Sequence, residues 1–430
     1  MQIITKEWNT DANLRVPEWI DWDSSLCIDI ETTGLSPASS FLYLIGCTYI
    51  SNGCFYVKQW FSEGIDQEEQ ILKDFCEWAS GYRCLIHFNG STFDIPYLSA
   101  KCKKYGLEPL FEGFEQLDIY KRLYPYRRFF PIPNLKQKTV EGFLGIGRED
   151  LFSGGELIPV YTAYVGRLRY ESCVRQTPNT GSFDSSSRNA RDFEPEQMHK
   201  ALQTEGRLPH IPADVLKEAL LGHNREDVGN LPKLLQMLSY AEAFRGHLTL
   251  ETARIEAVQR PSAPVTDGLP DMSSELILKL HSELMFPVSF AITAPLVLKS
   301  ETACCCRISF EGNLCTLTVP VYQGEVRHYY ENYKDYYYLI EEGIVSHKSV
   351  AGFVSAKYRR KAKPEECCYK KAGRFLPQPE NTFEPYYYKE YKDRFSWFEL
   401  TAEFKNDPKA LTRYAKELLL CLTGQTKNPK

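Results

Sequence analysis

Apolar residues gather in three short runs early in the chain, Leu26 to Ile30, Leu42 to Ile50 and Cys54 to Phe61, with Asn52-Gly53 between the last two. Runs of this length bounded by turn residues predict three consecutive strands, the Asn-Gly pair forming a hairpin turn. The spacing then changes. Ile71, Leu72, Phe75, Cys76, Trp78 and Ala79 recur at helical intervals behind Asp66, a predicted cap, and Glu69, its capping-box partner. Cys84 to Phe88 predicts a fourth strand, and Asp94 to Tyr105 and Leu157 to Leu168 predict further helices. The order β-β-β-α-β-α implies a mixed sheet with flanking helices, an α/β domain.

From Gln176 to Arg191 the chain turns to Thr, Pro, Asn, Gly, Ser and Arg, too little apolar surface to offset ordering entropy, and a mobile insertion is expected over 176–191. Helical spacing resumes at Ala213 and continues, interrupted by Pro232, to about Phe244. A soft stretch, Gln259 to Ser274, contains Pro261, Pro264, Gly268 and Pro270. Beyond it Leu276 to Leu280, Cys305 to Phe310, Leu314 to Val321 and Tyr336 to Ile340 predict strands, and Lys409 to Leu422 a closing helix. The expected organisation is a first domain over 1–245, a linker over 246–274 and a smaller α+β domain over 275–430.

Composition narrows the class without naming a function. At 430 residues, 43% hydrophobic and 25% charged, the chain has enough apolar sequence for more than one core and is unlike a disordered or membrane protein. No signal-like or membrane-length apolar run occurs, so a cytoplasmic location is expected. Fourteen cysteines include no Cys-x-x-Cys pair, which points to free thiols in the core rather than to structural zinc. With 51 basic and 56 acidic residues the net charge is −5, so any site for a polyanion must be local.

Asp29 and Glu31 stand two apart in the first predicted strand and therefore leave the same face. Paired carboxylates repel unless a cation lies between them, and a hard divalent ion is the usual one. Asp94 follows a Gly-containing turn at the start of a helix beside the same sheet. His223 and Asp227, at i and i+4, stack on one face of a later helix. Together they make four carboxylates and one imidazole.

The sequence here resembles the DnaQ-like, or DEDD, 3′ to 5′ exonucleases of the ribonuclease-H-like superfamily. Asp29-Ile30-Glu31-Thr32-Thr33-Gly34-Leu35 matches the first exonuclease motif, Asn89 to Asp94 the second and His223 to Asp227 the third. Within the superfamily it is most similar to the bacterial YprB-type domain, through Leu117-Asp118-Ile119, Asn134-Leu135-Lys136, Leu144-Gly145-Ile146 and Arg148-Glu149-Asp150. The likeness covers about Leu26 to Leu238. It departs at the third motif, where His223 occupies the spacing that the family gives to tyrosine.

The resemblance implies a ribonuclease-H-like fold and phosphodiester hydrolysis with two divalent cations, Mg2+ or Mn2+. Asp29 would bridge the ions, Glu31 and Asp227 would hold one and Asp94 the other, and His223 would serve as general base. Thr32 and Leu35 would touch the terminal nucleotide, and the partner would be the single-stranded 3′ end of DNA or RNA. Two alternatives stay open: a nucleic-acid-binding protein using the domain as a scaffold, and a structure-specific endonuclease.

One further segment bears on nucleic acid. Val345 to Phe375 holds nine Lys and Arg against two Glu, amid thirteen tyrosines between Tyr322 and Tyr391. Cations for phosphates and rings for unpaired bases make Lys357, Arg359, Arg360 and Lys361 candidate binding residues, with a solvated face over a tyrosine-rich core as the plainer reading.

Overall fold

The computed structural model describes residues 1–8, 19–108, 110–176, 199–200, 202–203, 211–257, 271–298, 301–393 and 395–424. It divides into two compact units, Met1–Arg127 with Ile132–Leu238, and Arg128–Pro131 with Ser239–Lys430. Residues 177–191 of the expected insertion lie outside the described residues.

The first unit is built on a six-stranded sheet. Its strands are β1 (Gln2–Glu7), β2 (Ser25–Thr32), β3 (Leu42–Ser51), β4 (Cys54–Phe61), β5 (Cys84–His87) and β6 (Glu115–Asp118), in the spatial order β1-β4-β3-β2-β5-β6. The first four in sequence pair antiparallel, whereas β2, β5 and β6 run parallel. Alternation along β2 separates two layers. Leu26, Ile28 and Ile30 pack on the side of α1 (Glu68–Ala79) and α2 (Asp94–Tyr105), with Leu72, Phe75 and Leu98. Tyr43, Leu44 and Phe61 face the other layer, with Leu157, Tyr161, Leu216 and Leu220 from helices over Gly154–Gln176 and Ala213–Leu234. Each fully buried aliphatic or aromatic side chain contributes about 1.5 to 3 kcal/mol to holding the layers together.

Between α2 and those two helices lie α3 (Ile119–Leu123) and α4 (Gln137–Phe143), so the long pair is α5 (Gly154–Gln176) and α6 (Ala213–Leu234). Pro232 falls in the last turn of α6 and does not end it; a 3-10 turn and α7 (Leu238–Phe244) continue the chain. The predicted cap of α1 is not formed. A 3-10 turn over Ile65–Gln67 precedes the helix, and its N-cap makes no side-chain bond. Glu68 is instead drawn inside, where it accepts from Leu42 N at 2.7 Å and pairs with buried Lys101 at 2.6 Å.

Gly46, opposite Asp29 in the β2–β3 register, decides how closely α6 approaches. A Cβ at Gly46 would sit 2.0 Å from Asn224 Oδ1, an atom buried under α6 and bonded to Gln59 Nε2 at 2.9 Å. Asn224 cannot retreat without breaking its bonds to Gln59 and Asp29, so Gly46→Ala is expected to cost about 1 to 3 kcal/mol, as overpacked cores do. Urea titration of the purified variant measures it, and an unchanged midpoint would contradict the packing.

The second unit holds an eight-stranded sheet and a separate three-stranded one. The larger sheet comprises β7 (Thr249–Ala257), β8 (Asp271–His281), β9 (Phe290–Leu298), β10 (Glu301–Glu311), β11 (Leu314–Tyr329), β15 (Cys368–Gln378), β16 (Tyr386–Tyr387) and β17 (Ser396–Glu399). Its order is β16-β17-β15-β11-β10-β9, with β8 also on β11 and β7 on β8. The smaller sheet is made of β12 (Tyr336–Leu339), β13 (Ile344–His347) and β14 (Arg359–Lys361). β7 lies inside the stretch expected to be a linker. Its Thr, Glu and Arg read as loop, yet it pairs with β8 along most of its length as a mostly exposed edge strand. The closing helix, Pro408–Leu422, starts one residue before its predicted position, capped by Asp407. Every described cysteine is free, and many are buried.

Candidate metal centre

β2 ends in the middle of its sheet, and its register places Asp29 opposite Gly46 and Glu31 opposite Leu44, on the face crossed by α6. Along α6 the buried stripe of Leu216, Leu220, Val228 and Leu231 is interrupted by His223, Asn224 and Asp227. The helix thus brings polar groups, not leucines, against the end of β2. Asp94 enters at the N-terminus of α2 through the turn after β5, in which Asn89 has φ 63°. Gly90 leaves room there, since a Cβ would lie 2.8 Å from Asp94 Oδ2. Asp118 fixes the turn by accepting from Asn89 N at 2.9 Å and from Ser91 Oγ.

The donor atoms of Glu31, His223 and Asp227 all lie within 4.8 Å of one another. His223 Nε2 stands 3.1 Å from Asp227 Oδ2 and 3.5 Å from Glu31 Oε1. Asp29 Oδ2 accepts from Asn224 Nδ2 at 3.1 Å. Asp227 Oδ1 is 2.6 Å from Arg148 Nη2, and the same guanidinium meets Glu141 at 2.9 Å and Glu226 at 3.1 Å. On its other nitrogen, Nδ1, His223 meets Asp150 Oδ2 at 2.7 Å.

Electrostatics divide these acids into two groups. Burial pushes Asp29 well above the usual carboxylate range, and the charges of Asp94, Asp227 and Glu31 push it further. Burial likewise raises Glu31 to about 8 and Asp94 to about 7. Asp227 and Asp150 go the other way: burial disfavours their charge, but His223 with Arg148, and His223 with Lys138, hold them below the ordinary value. For His223 burial favours the neutral ring, yet Asp150, Asp227 and Glu31 together keep the imidazole well above its usual range. Among the described residues no Lys or Arg pairs with Asp29, Glu31 or Asp94. Oxygen donors crowded with no Lys or Arg between them suit a divalent ion, so this donor set fits one.

All five residues proposed from the sequence for catalysis therefore line one region of the first unit. Thr32 bonds its Oγ1 to Gly34 O at 2.8 Å, in the loop that follows β2. Leu35, in that loop, is 85% exposed. Ser40 braces the loop through Gly34 O and Ser36 O, and Lys101 holds Ser40 O at 2.6 Å. Asn224, Arg148 and Asp150 were not predicted as site residues from the sequence. A polar interruption of the α6 stripe was a signal for Asn224; the other two sit in a loop without periodicity.

The basic segment looks different in the fold. Arg359 stacks over Tyr337 at 4.6 Å and donates to Ala351 O. Arg360 stacks over Tyr338 at 4.1 Å and pairs with Glu366. Lys348, Lys370 and Lys371 pair with Asp335, Glu325 and Glu399. Three of these four acids lie outside Val345–Phe375, so the local count overstated the free positive charge. Lys357 and Lys361 remain exposed.

Residues 26–171 match the RNase_H_2 family of the RNase_H superfamily, and the mixed α/β fold expected from the sequence is the one observed. Over 70 residues, 16% of this chain, the sequence is 33% identical to a DNA polymerase of Methanocaldococcus jannaschii, of whose length the match spans 4%. The family B DNA polymerase of the archaeon Pyrobaculum calidifontis is 13% identical with a TM-score of 0.29, covering 93% of this chain and 46% of that one. An exonuclease I with bound product is 10% identical with a TM-score of 0.21, covering 94% and 73%. No helix among the described residues is long and apolar enough to cross a membrane.

Proposed function

We propose that this chain is a YprB-type, DnaQ-like nuclease that removes nucleotides from single-stranded 3′ ends using two divalent cations, Mg2+ or Mn2+. The observation behind this reading is the gathering of half-buried Asp29 with buried Glu31 and Asp94, without Lys or Arg partners among the described residues, beside His223 and Asp227. A binding scaffold has no use for such uncompensated charge. Asp29, Glu31, Asp94 and Asp227 would hold the ions. Bound divalent ions stabilise charge on the attacking and leaving oxygens of a phosphodiester. With a divalent ion held by the acids that otherwise keep its ring protonated, His223 would be neutral and would take a proton from the attacking water at Nε2. Asn224 orients the Asp29 carboxylate, Arg148 keeps Asp227 ionised, and Thr32 and Leu35 meet the terminal nucleotide.

End-labelled DNA and RNA oligonucleotides, with and without Mg2+ or Mn2+, test the reading. Stepwise shortening from the 3′ end only with metal supports it. Cleavage of 3′-blocked substrates would favour an endonuclease, and binding without cleavage a scaffold.

The second unit is proposed to hold the strand through Lys357 and Lys361 more than through Arg359 and Arg360, which have internal partners. Every cation that neutralises a phosphate of a single strand adds about 0.7 to the slope of log affinity against log salt. Lys357→Ala with Lys361→Ala is therefore expected to flatten the salt dependence more than the corresponding arginine pair, as read by fluorescence anisotropy. Equal slopes for wild type and the lysine double variant would remove this segment from the binding surface.

A further inference from the structure

We infer that Asp150 is a positioning residue for His223: it holds the proton on Nδ1 and so leaves Nε2 as the nitrogen offered to the reaction. The inference rests on the proposed nuclease function and adds to it a residue from outside the carboxylate set. Asp150 lies in the loop between α4 and α5, while His223 is on α6, so the pairing joins parts of the unit remote in sequence. The Nδ1 to Oδ2 distance is 2.7 Å, and both side chains are at least 95% buried.

The carboxylate is fixed independently of the histidine. Its Oδ1 accepts from Phe152 N at 3.0 Å, and its Oδ2 also meets Lys138 Nζ at 2.7 Å. Glu226 secures the backbone leading into Asp150, accepting from Glu149 N at 2.8 Å and Asp150 N at 3.2 Å. Asp150 is thus placed by the loop, and His223 is placed by Asp150. An ionised carboxylate only accepts hydrogen bonds, so the facing nitrogen must carry the hydrogen. Asp227 Oδ2, at 3.1 Å, is an acceptor facing Nε2, so the metal-free ring carries hydrogen on both nitrogens. When a cation takes that oxygen, Asp150 still holds the Nδ1 hydrogen and the lone pair of the neutral ring lies on Nε2.

The same geometry predicts what an isosteric change does. In Asp150→Asn one carboxylate oxygen becomes an NH2. With the remaining oxygen kept on Phe152 N, the amide donates toward His223 Nδ1, which must accept, and the proton moves to Nε2. With the amide reversed, NH2 faces the Phe152 N–H and the loop loses its anchor. Neither arrangement reproduces the wild type.

Asp150→Asn should lower kcat by about 10² to 10⁴-fold, the range for a base held in the wrong tautomer, with KM little changed. A purely structural role would also lower the rate, so the deciding measurement is a double-mutant cycle. In a His223→Ala background, adding Asp150→Asn should change kcat by no more than about twofold. A further decrease equal to that of the single variant would overturn the inference, as would a single variant working at the wild-type rate. If the variant fails to fold, the wild type decides: nitrogen-15 spectra of the Mg2+-loaded protein with the ring neutral should show hydrogen on Nδ1 of His223. Hydrogen on Nε2 would overturn it. Absence of hydrolysis by wild type under every condition would instead defeat the nuclease function, and the spectra would still report on the Asp150–His223 pair.

Discussion

Asp29→Asn is expected to abolish metal-dependent hydrolysis while raising the melting temperature of the metal-free protein at pH 8. Asp29 is half-buried among three other acids, and each raises the cost of its charge. Asn removes that charge and keeps an oxygen for Asn224 Nδ2, now 3.1 Å from Asp29 Oδ2. The sign of the pH dependence follows from linkage. Glu31, at about 8, and Asp94, at about 7, bind protons more tightly folded than unfolded, where they titrate near the ordinary carboxylate value. Between about pH 4 and 8 the folded protein therefore holds more protons, and its stability falls as pH rises. His223, also raised, contributes in the same direction. The gain from Asp29→Asn should be small at pH 5, where the cluster is largely protonated, and largest near pH 8. Mg2+ or Mn2+ should restore wild-type stability at pH 8, as any ligand of the folded state does, and should do little for the variant. Asp227→Asn should also end hydrolysis but should lower stability, because it removes the partner of Arg148 and His223. Calorimetric scans across pH with and without metal provide the check. Wild-type cleavage rates in Asp29→Asn under saturating metal would refute the proposed centre.

His223→Ala should cost about two to four orders of magnitude in rate, the usual contribution of a positioned acid or base. Nε2 lies 3.1 Å and 3.5 Å from two proposed ligands, so the imidazole itself is close enough to compete for an ion. Isothermal titration with Mn2+ separates the roles. A general base leaves metal affinity nearly unchanged when removed, whereas deleting a ligand weakens it in parallel with the rate. Removal also leaves Asp150 and Asp227 without their shared cation, so some stability should go with it.

Much of the first unit was legible because its strands are apolar and its turns carry their usual residues. β2 through β5 appear close to their expected places, and Asp29 and Glu31 share a face because alternation requires it. β1 and β6 escaped for a physical reason: β1 is a mostly exposed edge, and β6 has one apolar residue among four. Arg148 and Asp150 stand in the sequence only within the Arg148-Glu149-Asp150 stretch that carries the resemblance, with no role attached. Their value comes from where a loop lands, which no periodicity records. In the basic segment a count along the chain does not include Glu325 and Glu399, acids that strand pairing brings alongside Lys370 and Lys371. Charge is local in space before it is local in sequence.

Three polar residues of the centre, His223, Asn224 and Asp227, ride on α6, the last long helix of the first unit, whereas Asp29, Glu31 and Asp94 come from its opening strands and second helix. Order of synthesis therefore separates the two sets. A chain still growing on the ribosome exposes its early acids long before the helix that completes them can fold, and every nascent intermediate shorter than α6 lacks Asp227 and the imidazole alike. If the finished protein cuts RNA, the messenger from which it is being translated is safe from it until the unit closes.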